Sequence, residues 1–118
     1  MALPLTSPAA TLCILRLSAV GDICHTLPIV RTLQQVWPDT KVTWIIGKLE
    51  HSLIGDIPGI EFIILYKAKG FKAYRELRQQ MKGRHFDVLL HMQMSLRARL
   101  ASLLIPANIR LGFDKQSA

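Results

Sequence analysis

Residues 12–37, LCILRLSAVGDICHTLPIVRTLQQVW, restrict the fold of this chain more than any other stretch. An apolar run over residues 12–17 reads as a buried strand, and a short polar turn follows over residues 18–22. The spacing of Ile23, Leu27, Val30, Leu33 and Trp37 then gives one apolar face of a helix. Where a strand feeds a helix through a tight turn in an α/β sheet, chemistry gathers at that turn. Gly21 allows the main chain a positive φ or a close approach to a ligand. Asp22 stands where the helix begins: its carboxylate can cap free amides, or take a proton from a substrate hydroxyl, and the two roles are compatible. A helix N-terminus favours the ionised form, which keeps such a base deprotonated but weak, so that positioning counts for more than basicity.

Pro28 interrupts this pattern. Inside an unbroken helix starting at Asp22 it would cost about 3 kcal/mol. A tight turn ending near Thr26, which then caps a second helix with Pro28 in its first turn, avoids that cost, and this broken form is the expectation.

The rest of the chain alternates strand and helix patterns. Pro38-Asp39 ends the first helix, Lys41–Ile46 (KVTWII) is a second strand, and residues 47–59 form a short helix or loop that closes in a turn at Pro58-Gly59. Residues 60–66 give a third strand, and Phe71–Met81 a helix with Phe71, Tyr74, Leu77 and Met81 inward. Phe86–His91 is a fourth strand. A helix over residues 93–104 turns Leu96, Leu100, Leu103 and Leu104 to the core, Pro106 closes it, and residues 109–113 make a fifth strand before DKQSA. Together these predict an α/β fold, a Rossmann-like doubly wound parallel sheet with right-handed crossovers. Residues 18–22, 47–48, 67–72 and 91–97 should then line one crevice at the carboxyl edge.

Composition narrows the function classes. With 118 residues, half of them hydrophobic, the chain can bury one core, and fifteen Lys and Arg against eight Asp and Glu imply an anionic partner. That partner class spans nucleic acid, phospholipid headgroups and phosphorylated or carboxylated substrates. The densest basic stretch is Lys67, Lys69, Lys72, Arg75, Arg78, Lys82 and Arg84, whose plain explanation is a solvated helix face. Cys13 and Cys24 lack metal-ligand spacing and are expected as free thiols of a reducing compartment. The lone imidazoles His25, His51, His85 and His91 read as packing or surface groups, His25 gaining interest from its place beside Asp22.

Residues 1–10 carry Pro4 and Pro8 and no positive first segment, so they read as a flexible extension rather than a secretory leader. No apolar run reaches the roughly 18 residues a membrane span needs. The turn SAVGD is not G-x-G-x-x-G, no acidic residue ends the second strand to hold a ribose, and there is no P-loop and no G-x-S-x-G. A carboxylate, a polar amide and several cations meeting over a sheet edge suit a polyanionic substrate bearing a reactive hydroxyl. The alternative is a basic anion- or nucleic-acid-binding module of flavodoxin-like topology with no catalysis, in which Asp22 is a cap; no aromatic stacking platform supports it.

ILRLSAVGDICHTLPIVRTLQ closely resembles the opening of glycosyltransferase family 9, the ADP-heptose:lipopolysaccharide heptosyltransferases, with its G-D-x-x-H-x-L-P signature. Gly21, Asp22, His25, Leu27 and Pro28 all fall in register. HMQMSLRA is similar to a second family block, which places Gln93 and Arg97 on matching positions, and RLGF fits the next one; Met94 stands where the family often has glycine. The resemblance implies the N-terminal half of a GT-B architecture, with residues 11–118 as a Rossmann-like acceptor-binding domain and the C-terminal sugar-nucleotide domain absent. It implies Asp22 as general base for an inverting transfer from ADP-heptose to the lipopolysaccharide inner core, needing no metal and no cofactor. Ser18, Gly21, His25, Lys72, Gln93 and Arg97 would then bind substrate. The basic stretch would face the Kdo and lipid A groups of a lipid-linked anionic saccharide acceptor. The expected setting is cytoplasmic, with peripheral contact on the anionic inner face of the inner membrane and no nucleic acid; the chain by itself is expected to be inactive and to expose apolar surface where its partner domain docks.

Overall fold

Five parallel strands alternate with four α-helices in the computed structural model, which describes residues 9–112. In chain order these are β1 Thr11–Leu15, α1 Val20–Val36, β2 Lys41–Ile46, α2 Lys48–Ile54, β3 Ile60–Ile64, α3 Phe71–Met81, β4 Phe86–His91, α4 Leu96–Ser102 and β5 Ala107–Gly112, with a single 3-10 turn at Lys67–Lys69 before α3. The sheet order is β3-β2-β1-β4-β5. This is the expected Rossmann-like parallel sheet. Strand order reverses beside β1, so that the carboxyl ends of β1 and β4 flank the switch point where such folds hold ligands. Phe113 of the fifth strand expected from sequence and the first eight residues of the expected extension lie outside the described residues. Ala9 is buried, and the Ala10 amide donates to Asp87 Oδ2 at 2.7 Å, so the chain is already pinned before β1.

The two-residue period of the strands sorts the core into two layers. Leu12, Ile14, Val42, Trp44, Ile46, Val88 and Leu90 face one side, where Ile23 and Val30 of α1 and Ile54 of α2 cover them. Cys13, Leu15, Ile45, Ile63 and Leu89 face the other, under Ala73, Leu77 and Met81 of α3 and Ala98 and Ala101 of α4. Near-continuous apolar strands follow from burial on both faces.

Helix α1 is not broken at Thr26. It runs unbroken over seventeen residues with Pro28 inside it, and Thr26 is buried, its hydroxyl donating back to the Asp22 carbonyl at 2.9 Å instead of capping a second helix. Pro28 points outward and is exposed, so its cost is the missing amide and the crowding of the preceding turn. Against that cost of about 3 kcal/mol stand the burial of Ile23 and Val30 and the packing of Leu27, Leu33 and Trp37, each fully buried side chain contributing roughly 1.5–3 kcal/mol. One continuous apolar face therefore outweighs one proline.

Two other helix faces differ from expectation. In α3 the inward set is Ala73, Leu77 and Met81, with Tyr74 partly buried, while Phe71, the first residue of the helix after Gly70 at φ 56°, is 88% exposed. In α4 the core contacts come from Ala98, Ala101 and Ser102, and Leu96, Leu100 and Leu103 face outward. The Ser95 hydroxyl accepts from the Ala98 amide at 3.1 Å and sets the start of this shorter helix, and its small side chains let it approach the sheet closely. Of the leucines expected inward, Leu104 alone packs against the core, from the turn beyond the helix.

The basic stretch does not form one face either. Because α3 returns against the strand direction, Arg84 ends at the amino edge of the sheet, where it pairs with Glu61 at 2.6 Å and bonds the Thr43 hydroxyl at 3.2 Å. Lys69 stays near the carboxyl edge.

Candidate functional site

Beyond β1 the chain must turn from the sheet into α1, and Arg16 organises that link. Its amide donates to Ile45 and its carbonyl accepts from the Trp44 indole at 3.0 Å, which ties the link to β2. The guanidinium reaches the other way: Nη1 donates to the Met92 carbonyl beyond β4, and Nη2 lies 2.7 Å from Asp22 Oδ2 in the first turn of α1. Arg16 Nε is buried without a hydrogen-bond partner among the described residues. The arginine is thus mostly enclosed while the Asp22 side chain is about half exposed, at 54%. The Ser18–Ala19 peptide within this link is cis.

Asp22 also receives the Ala19 amide, at 3.4 Å. Ala19 occupies the cap position and has no side-chain acceptor, so the carboxylate three residues on reaches back to it. That amide first, and then the Arg16 guanidinium, hold the Asp22 carboxyl below the usual carboxylate range. Capping and availability coexist in one group. Gly21 sits in the same helical turn without a positive φ, so the backbone freedom expected of it is not used; the space where its side chain would stand is open. His25 is exposed one turn further along α1.

Gln93 joins the two crossovers at the switch point. Its buried Oε1 accepts from the amides of Leu17 and Ser18, at 2.8 and 2.9 Å, and its Nε2 donates to the Ser95 hydroxyl at 2.9 Å. Both ends of the amide are engaged by the protein itself, which makes Gln93 a strut of the site.

The loops after β1, β2 and β3 enclose an open cavity of about 810 Å³, closed on one side by α4. Ser18, Gly47, Lys48, Glu50, Tyr66, Lys67, Lys69 and Arg97 are among its lining residues. Four segments predicted to share a crevice therefore do meet. Asp22, Gly21 and His25 lie outside this lining, in the first turns of α1, and Lys72 is exposed on α3 and lines no part of the cavity. Of the site residues read from sequence, the structure brings Ser18 and Arg97 together in the cavity, with Gln93 behind Ser18 and Asp22 joined to the same edge through Arg16. Lys69 is engaged by Glu76 at 3.0 Å and lies over the Tyr66 ring, whereas no ion pair occupies Lys48, Lys67 or Arg97 among the described residues.

Sequence reasoning missed Arg16 and Glu50. The signal for Arg16 was present as a cation interrupting an apolar strand just before a polar turn; Glu50 had no signal beyond a carboxylate three residues after Gly47. Among the described residues no three His, Cys, Asp or Glu gather as a metal site, and no helix is long and apolar enough to cross a membrane.

No family model matches the chain. It is 45% identical to a lipopolysaccharide core heptosyltransferase, OpsX, of Haemophilus influenzae over 111 residues, which are 94% of this chain and 32% of that protein. It is 24% identical to lipopolysaccharide heptosyltransferase 1 of Campylobacter coli over 88% of this chain and 31% of that protein. In fold it matches the E. coli heptosyltransferase WaaC solved with ADP at a TM-score of 0.76 and 21% identity, covering 92% of this chain and 37% of the other. A glycosyl transferase family 9 protein of Veillonella parvula gives the same TM-score at 17% identity, over 87% of this chain and 32% of that one. The chain spans about a third of the length of the curated relatives it matches. In sequence it is thus similar to lipopolysaccharide heptosyltransferases over about a third of their length, and in fold it matches the N-terminal part of the GT-B architecture of the E. coli heptosyltransferase.

Proposed function

We propose that this chain supplies the acceptor side of an inverting heptosyltransferase that moves a heptose from ADP-heptose to the lipopolysaccharide inner core. In this reading Asp22 takes the proton of an acceptor hydroxyl as the hydroxyl oxygen attacks the anomeric carbon. The bond from that carbon to the ADP oxygen breaks on the opposite face, its electron pair leaves with the diphosphate, and the configuration inverts. The sugar nucleotide would be held by a second, C-terminal domain, and neither metal nor cofactor is required. The acceptor, a lipid-linked Kdo-lipid A saccharide, places its anionic groups among Lys48, Lys67 and Arg97. The 118-residue chain alone then has no transferase activity, and it works at the cytoplasmic face of an anionic membrane, where sedimentation with anionic vesicles at low salt would detect contact.

The observation that carries this reading is the half-exposed Asp22 carboxylate fixed by a largely enclosed arginine at the carboxyl edge of β1. A hybrid in which residues 9–112 replace the matching stretch of the H. influenzae relative provides the test. Asp22→Asn should lower turnover about 10²–10⁴-fold with little loss of stability. A helix cap without catalytic duty, as in a non-catalytic anion-binding module, would leave turnover unchanged.

A further inference from the structure

The cavity contains a carboxylate that the transferase reading leaves without a task. Glu50, in the first turn of α2, is 8% exposed and lines the cavity. A Cβ on Gly47 would come within 2.4 Å of Glu50 Oε1 and 2.6 Å of the Leu17 carbonyl. Only glycine at position 47 therefore lets the carboxylate fold back over the ends of β1 and β2. Glu50 makes no side-chain cap to the start of α2, and no hydrogen bond or ion pair to its carboxylate is found among the described residues. Its oxygens are not among the buried unpartnered polar atoms, so they reach the open cavity, where a ligand hydroxyl can replace water as their donor.

Its neighbours state what that donor must be. Lys48, Lys67 and Arg97 line the same cavity without ion-pair partners among the described residues, so they favour an anion, while Glu50 in the same lining repels one. Both demands are met by a single ligand that bears a negative group and, a few atoms away, a hydroxyl. A bare phosphate meets only the first.

We propose that Glu50 is a specificity-determining residue, accepting a hydrogen bond from a hydroxyl of an anionic saccharide whose charged group rests on Lys48, Lys67 and Arg97. This rests on the acceptor reading of the cavity and adds to it the residue that selects for a free hydroxyl close to the acceptor's charge.

The 15N-labelled 118-residue chain, titrated by NMR with the free sugar acid Kdo and separately with inorganic phosphate, tests it. Glu50→Gln should weaken the sugar acid about tenfold and leave phosphate binding equal or tighter, because the charge-assisted bond is lost while repulsion of the anion is relieved. Glu50→Ala should show the same opposed pattern, with phosphate binding reporting that the cavity is intact. Equal weakening of both ligands, or unchanged sugar-acid affinity in both variants, overturns the role of Glu50 and leaves the acceptor reading standing. Failure of the unaltered chain to bind either ligand at the cavity overturns the acceptor reading as well.

Discussion

Arg16 Nη2 and Asp22 Oδ2 meet at 2.7 Å across the link between β1 and α1, and the same guanidinium holds the Met92 carbonyl beyond β4. One side chain therefore fixes the carboxylate relative to two strands. Arg16→Gln removes a cation that depresses the Asp22 pKa but leaves the larger contribution, the Ala19 amide, in place. A carboxylate with a depressed pKa is active above that pKa and fails as pH falls through it. In the hybrid enzyme the acidic limb of kcat/KM should move upward with Arg16→Gln, toward the ordinary carboxylate range, with the Ala19 amide still holding it lower. An unmoved limb would show that the pair is not coupled to turnover.

Gln93→Leu should destabilise the domain by about 2–4 kcal/mol, because the amides of Leu17 and Ser18 lose their acceptor in the interior of the edge. Urea denaturation of the 118-residue chain measures it. A loss below about 0.5 kcal/mol, the usual range of surface substitutions, would mean that water replaces the side chain freely.

Pro28→Ala should raise stability by about 1–3 kcal/mol, since an exposed residue inside a helix regains an amide and loses a ring clash. The urea midpoint should rise at constant slope. A fall would reveal that the proline ring makes a contact worth more than the helical bond it forbids.

Thiol chemistry should separate the two cysteines. Burial pushes the Cys13 thiol up to about 12, whereas Cys24 is exposed on α1. At neutral pH a thiol reagent should therefore modify Cys24 in the native chain, and Cys13 only on unfolding. Modification of both at equal rates in native buffer would contradict a closed core around β1.

Much of this architecture was legible because strands buried on both faces declare themselves as apolar runs. KVTWII and FDVLLH coincide with β2 and β4, and FKAYRELRQQM with α3. Helix faces were harder: periodicity pointed Leu96, Leu100 and Leu103 inward, but the Ser95 cap and the need for small side chains against the sheet turned Ala98 and Ala101 there instead. The α1 break failed for a related reason, since a local rule about proline cannot weigh a whole apolar face. At the site, topology alone placed Ser18, Lys48, Lys67 and Arg97 around one cavity. It could not foresee that Gln93 would turn both ends of its amide toward protein groups, or that Arg16 would leave the strand to hold Asp22. The contacts of Gln93 with the Leu17 and Ser18 amides and of Arg16 with the Met92 carbonyl depend on side-chain reach across 75 or more residues of sequence.

The Gln93 brace is made entirely of uncharged partners, an amide between peptide N–H groups and a serine hydroxyl. Acidification that neutralises Asp22 and dissolves its pairing with Arg16 leaves this brace untouched. The doorway of the fold thus keeps its outline while its charge is erased, so shape and polarity at that threshold answer to different chemical controls.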